Sequence, residues 1–211
     1  MMGACEAVES WGFRKQGSYG GKRVTKIWKV ISAAALVAGW VAVGTATMVS
    51  AEATKMDDGS VAAGKGAEFD ADAGKWFLES GDPTYRIKED GTLDFLTYRG
   101  FQRYHSECHV CHGPEGVGST YAPALIDSLK TMAYGDFVGV VASGRVVHQP
   151  GGGESVMPAL GDNVNVMCYL DGIYTYLKAR SDGVLARGRP KGKEAKPEGL
   201  GATEDACLGG K

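Results

Sequence analysis

The chain of 211 residues carries 23 Lys+Arg against 25 Asp+Glu, a formal net charge of −2, with 44% hydrophobic and 23% charged residues. That balance excludes a disordered or fibrous polymer and suits one or two globular domains. Five cysteines are too few for a disulfide-built scaffold, and 32 glycines predict many tight turns.

Residues 1–51 read as an export signal with a long basic lead. Lys22, Arg23, Lys26 and Lys29 precede Val30 to Ala51, a run without a charge, and Val49-Ser50-Ala51 places small residues at −3 and −1 of a cleavage site before Glu52. An uncleaved anchor is the alternative. The run is rich in Ala, Gly, Thr and Ser and no basic flank follows it, which argues against anchoring. Cys5 lies in this leader and is expected to leave with it. Cleavage removes six basic and two acidic residues, leaving 17 Lys+Arg against 23 Asp+Glu, a net of −6. An acidic exported chain is a poor ligand for nucleic acid and suits a protein partner met through complementary charge. A periplasmic location without a membrane anchor is expected.

Residues 52–91 hold Asp70, Asp72, Asp82, Glu89 and Asp90 without calcium-loop spacing, which predicts a solvated acidic N-terminal extension. Leu93 to His105 reads as a helix with Phe95, Leu96, Tyr98, Phe101 and Tyr104 on its apolar face and Gly100 as a site of close backbone approach. It leads into Cys108-His109-Val110-Cys111-His112, the C-x-x-C-H pattern of covalent haem attachment. Two thiols three positions apart can form thioethers to the two vinyl groups of one porphyrin, and the histidine that follows is then placed at the iron. Half of a zinc ribbon is the competing reading. It would need a second close Cys or His pair, whereas Cys168 and Cys207 stand far apart.

Tyr134 to Ser143 predicts a second helix, with Phe137, Val140 and Val141 at helical spacing and Gly144 as its stop. A sixth iron ligand would come from Met132, His148, Met157 or Met167. Met157 is the strongest candidate, in a glycine-flanked loop stiffened by Pro158, while His148 offers bis-histidine ligation and the other methionines read as packing residues. Asn163 to Arg180 predicts a third helix with Asp162 as N-cap and Val166, Leu170, Ile173, Tyr174 and Leu177 on one face. Arg145 to His148 is too short a strand to change an all-α assignment. Residues 183–206 read as loop, with Arg187, Arg189, Lys191, Lys193 and Lys196 on a solvated basic strip.

The order helix, C-x-x-C-H, Ala122-Pro123-Ala124-Leu125, helix, Met157-Pro158-Ala159-Leu160-Gly161, helix resembles a class I cytochrome c over residues 92–180. Tyr98 to His105, Tyr134-Gly135-Asp136-Phe137 and Asn165 to Leu170 resemble the cytochromes of methanol metabolism. The resemblance implies about three main helices around one covalent haem c, long loops, and a basic tail over 181–211. It also implies Cys108 and Cys111 as thioether sites, His112 and Met157 as axial ligands, and the Pro123 carbonyl as hydrogen-bond partner of His112. Cys168 and Cys207 are then the unpaired remainder and are expected to bridge in an oxidising compartment, tethering the tail; such a loop is worth about 3 to 4 kcal/mol. The implied function is an electron carrier rather than an enzyme. It would take electrons from a quinoprotein methanol dehydrogenase and pass them to a downstream cytochrome or oxidase. A carrier for another periplasmic dehydrogenase, or a haem-based gas-binding module, are the alternatives.

Overall fold

The computed structural model describes residues 53–148 and 151–209, so the leader, Cys5 and the cleavage site at Ala51 lie outside the described residues. In chain order, β1 (Thr54–Lys55) pairs with β2 (Val61–Ala62), and β3 (Glu68–Asp70), β4 (Lys75–Phe77) and β5 (Pro83–Thr84) form an antiparallel sheet. The expectation of a solvated extension is therefore corrected. Ala62, Ala63, Tyr85 and Ile87 are buried, and Arg86 binds the segment together through Asp58, the Ser60 hydroxyl and Glu194 while its guanidinium lies over Trp76. The acidic side chains at Glu68, Asp70 and Asp72 do remain exposed.

After β6 (Thr92–Leu93) the chain enters α1 (Phe95–Glu107), two residues later than the apolar pattern suggested. Asp94 sets that start. Its carboxylate accepts from the Thr97 amide at 2.9 Å and from the Arg86 amide at 2.8 Å, satisfying one of the orphan donors of the first turn. Next come α2 (His109–His112), a 3₁₀ turn (Pro114–Gly116), α3 (Leu125–Ser128), α4 (Tyr134–Ser143), and an antiparallel hairpin of β7 (Arg145–His148) with β8 (Glu154–Met157). The last helix expected from the pattern is split into α5 (Val164–Met167) and α6 (Leu170–Ser181). Asn163, not Asp162, caps α5 through the Asn165 amide at 2.9 Å. Between the two helices the chain leaves helical geometry at Tyr169, whose ring is buried beneath the Arg103 guanidinium at 4.0 Å.

The frame is the crossing of α1 and α6. Gly100 and Gly172 meet there, so closely that a Cβ on Gly100 would lie 1.7 Å from the Gly172 carbonyl oxygen. Thr97 donates to the Thr175 hydroxyl at 3.0 Å, and Thr175 donates onward to the Gly172 carbonyl at 3.0 Å, so both threonine hydroxyls at the crossing are satisfied. Beside them Tyr176 packs edge-on against Phe101, with ring centroids 5.6 Å apart, and against Tyr104 at 5.5 Å.

The tail is tethered and partly folded. Cys168 and Cys207 form a disulfide. Residues expected as loop contain β9 (Gly192–Lys193), parallel to β6, and α7 (Glu198–Cys207). Leu200 is the reason for α7: with 2% exposure it packs on Phe95 and Leu96, and its backbone closes on Gly74 so tightly that a Cβ there would meet the Leu200 nitrogen at 2.3 Å. Arg187, Arg189, Lys191, Lys193 and Lys196 are exposed, as the basic strip required. The fold is thus mostly helical with short strands, rather than purely all-α.

Candidate functional site

The helix α1 delivers the cysteine motif with almost no break. Cys108 stays in right-handed backbone geometry between α1 and α2, and its amide still bonds the Tyr104 carbonyl at 2.9 Å. This places Cys108 and Cys111 on one turn with His112 closing it. The Tyr104 hydroxyl, fully buried, donates to the Gly113 carbonyl at 2.6 Å and pins the exit of the motif to the α1–α6 core.

His112 is buried, at 7% exposure, and its Nδ1 lies 3.1 Å from the Pro123 carbonyl oxygen. A carbonyl only accepts, so Nδ1 carries the proton and Nε2 keeps its lone pair for a metal. Such a bond fixes both the tautomer and the plane of a ligating imidazole. The cysteines divide by role. Cys168 and Cys207 are oxidised to each other, whereas Cys108 and Cys111 are free. Burial, with Glu107 and Cys111 adding to it, pushes the Cys108 thiol up to about 12.

Met157 ends β8, directly opposite Arg145 of β7. The hairpin is held by α4: Leu160 and Gly161 amides bond the Val141 and Ala142 carbonyls at 3.0 Å each, and Gly144 lies so near that a Cβ there would meet the Met157 carbonyl at 2.6 Å. Met157 is half-buried and packs against the main core, as Cys108, Leu125, Met132 and Leu160 also do. His148, by contrast, sits at the exposed end of the hairpin, 79% accessible and 3.1 Å from Glu154. Met167 is half-buried on α5. Met132 lines an open cleft of about 700 Å³ together with Val140 and Arg145. The donor set fits a covalent haem: two unbridged thiols on one turn, an imidazole with Nε2 free, and a thioether on a fixed hairpin beside the same core.

Glu115 was not signalled by the sequence. It is the one non-glycine residue among those described with positive φ, at 61°, and it is buried in the turn after the motif. Arg187 donates to its Oε2 at 2.7 Å, Arg180 approaches at 3.3 Å, and the Gly188 amide donates to Oε1. Its partners come from α6 and the tail, 65 and 72 residues away, so no local spacing reveals them. Burial opposes ionisation here, but Arg187, the Gly188 amide and Arg180 outweigh it and hold the carboxyl below its ordinary 4.5. The sign follows: the stabilisation is complete above the ordinary glutamate range and is lost as pH falls through the lowered folded value. Glu115→Gln is expected to cost about 1 to 2 kcal/mol at neutral pH, and urea unfolding curves of the two proteins should converge in acid. A constant difference down to pH 3 would show that the ionised carboxylate is not what holds this turn.

A helix-framed C-x-x-C-H with a buried imidazole oriented through Nδ1 fits the haem-binding class of electron-transfer proteins. Known proteins agree. No protein-family profile matches the chain. It is 50% identical over 137 residues to cytochrome c-553I of Paracoccus denitrificans, a match covering 65% of this chain and 60% of that one. It is 37% identical over 107 residues to cytochrome c-555 of Methylococcus capsulatus, covering 50% of this chain and 76% of the other. The crystal structure of the c-type cytochrome XoxG from Methylobacterium extorquens AM1 superposes with a TM-score of 0.58 at 47% identity, covering 68% of this chain and 94% of XoxG. The chain belongs to the c-type cytochromes, proteins that carry electrons on covalently held haem and transform no substrate of their own.

Proposed function

We propose that this chain is a periplasmic monohaem carrier that accepts single electrons from a quinoprotein methanol dehydrogenase and passes them to a downstream cytochrome or oxidase. In this reading Cys108 and Cys111 hold the haem, His112 and Met157 are its axial ligands, and the Pro123 carbonyl orients His112. Haem c supplies a one-electron Fe(III)/Fe(II) couple. The protein supplies two ligands that do not move: His112 is held through Nδ1 at 3.1 Å from Pro123, and Met157 by the hairpin seated on α4. Fixed ligands let the metal change oxidation state with little rearrangement. The thioether also favours the higher potential an acceptor needs. The single observation that carries the ligand assignment is the orientation of His112, whose Nδ1 proton is committed and whose Nε2 is left for iron.

The donor assignment rests on the resemblance of residues 98–105, 134–137 and 165–170 to the methanol-metabolism cytochromes and on the likeness to XoxG. The periplasmic assignment rests on the leader, which lies outside the described residues; no helix among the described residues is long and apolar enough to cross a membrane. Stopped-flow mixing of the ferric holoprotein with a substrate-reduced, pyrroloquinoline-quinone methanol dehydrogenase tests the donor. Haem reduction on the turnover timescale, slowing as salt is raised, is expected from the acidic body and basic tail. Absence of reduction would remove this donor and leave a carrier for another periplasmic dehydrogenase.

A further inference from the structure

His105 and His109 stand four residues apart on the nearly continuous α1–α2 helix, and their rings meet edge to face with centroids 5.4 Å apart and planes at 75°. Neither takes part in the proposed haem ligation. His105 is preset: its Nδ1 lies 2.8 Å from the Phe101 carbonyl, so that nitrogen carries the proton and Nε2 is a free acceptor. A tilted contact with Phe101 at 4.5 Å, an edge contact with Tyr104 and a tilted contact with Tyr176 hold the ring in place. A histidine whose remote N–H is tied to a backbone carbonyl has the arrangement usual for a metal ligand. His109 is partly exposed, and among the described residues neither of its ring nitrogens has a hydrogen-bond partner.

We propose that His105 and His109 form a surface site for a borderline divalent transition-metal ion such as Zn²⁺ or Cu²⁺. The distances allow it. With an imidazole nitrogen about 2.1 Å from zinc, each ring centroid lies about 3.2 Å from the ion, so two rings turned toward one shared ion at the observed 5.4 Å centroid separation would subtend about 115°, close to the roughly 109° of a tetrahedral site. Imidazole nitrogens select zinc, copper and nickel over calcium and magnesium. Among the described residues no cluster of three or more His, Cys, Asp or Glu side chains gathers around an ion, so the remaining positions fall to water or to a ligand brought from outside. The helix explains the pairing: residues i and i+4 share a face, and the chain stays helical through Cys108.

The test uses untagged ferric holoprotein at pH 7.5. Calorimetric titration with Zn²⁺ should show one ion per chain, and Cu²⁺ added at one equivalent should give an electron paramagnetic resonance spectrum with two nitrogen ligands. His109→Gln, at the partly exposed position, should weaken Zn²⁺ at least tenfold and reduce the copper spectrum to one nitrogen. His105→Gln should do the same, and because His105 packs among aromatic rings the His109 variant decides the matter. The competing pair is His148 with Glu154, 3.1 Å apart on the hairpin. His148→Gln is expected to leave binding unchanged. Wild-type affinity in His109→Gln, loss of binding in His148→Gln, or no binding at millimolar Zn²⁺ would each overturn the site.

Discussion

Met157→Ala holoprotein should convert from a low-spin to a high-spin haem and, once reduced, bind carbon monoxide within the mixing time. The wild type should bind it slowly or not at all at neutral pH. The effect is complete rather than graded because alanine removes the only atom of residue 157 that could reach iron, while the position itself is set by backbone contacts that the substitution leaves alone. Leu160 and Gly161 still bond α4, and the Arg145 to Met157 pairing is made by main-chain atoms. The hairpin should therefore persist, with the lost burial of a half-buried side chain costing about 1 to 2 kcal/mol beside the loss of the iron–sulfur bond. His148→Ala should keep the native spectrum, since its ring stands in solvent beside Glu154. An unchanged visible spectrum in Met157→Ala removes Met157 as ligand. Immediate carbon monoxide binding by the wild type removes the closed His/Met site altogether and favours the gas-binding reading.

What could be read ahead of the structure follows from how local each feature is. The C-x-x-C-H motif, the α1 apolar face and α4 with its Gly144 stop are written within a few consecutive residues, and each occupies the expected place. The disulfide was legible by elimination, because the haem motif leaves only Cys168 and Cys207 in the exported chain. The strands were not. β1, β2 and β5 are two residues each, too short for a period-2 pattern, while other pairings join residues far apart in sequence: Val61 bridges Ile87, and Thr92 of β6 pairs with Gly192 of β9. The α7 helix has a single fully buried apolar residue, Leu200, and depends on Phe95 and Leu96 and on the Cys207 bond to stay docked. Met157 was placed in a loop because glycines flank it; Gly152 and Gly153 instead lie between β7 and β8, and Met157 ends β8. Glu115 lay beyond reach for the same reason as the strands, its arginines being supplied by α6 and the tail.

Gly100→Ala should destabilise the protein by on the order of 3 kcal/mol or more, or leave it unable to hold haem, although alanine is the better helix former. Two terms compete. In a helix interior alanine is favoured over glycine by about 1 kcal/mol. Against this, the new Cβ would stand 1.7 Å from the Gly172 oxygen, 2.1 Å from its carbon and 2.8 Å from the Ile173 nitrogen. These are backbone atoms of a buried helix, so no rotamer change relieves the overlap; α1 and α6 must separate. Overpacking a well-filled core commonly costs about 1 to 3 kcal/mol where side chains can yield, and this contact has none to yield. Separation would also stretch the Thr97–Thr175 hydrogen bond and open the Tyr176 contacts with Phe101 and Tyr104. The consequence reaches the site through Tyr104, whose hydroxyl holds Gly113 immediately after His112. Gly201→Ala supplies the comparison: it lies within α7, where a Cβ would meet only the Lys196 side chain at 3.5 Å, so propensity alone should act and stability should rise by up to about 1 kcal/mol. Urea midpoints of the two variants measured on holoprotein should move in opposite directions. Equal destabilisation of both, or a Gly100→Ala protein as stable as wild type with full haem content, would mean that the α1–α6 crossing tolerates a methyl group and does not position the motif.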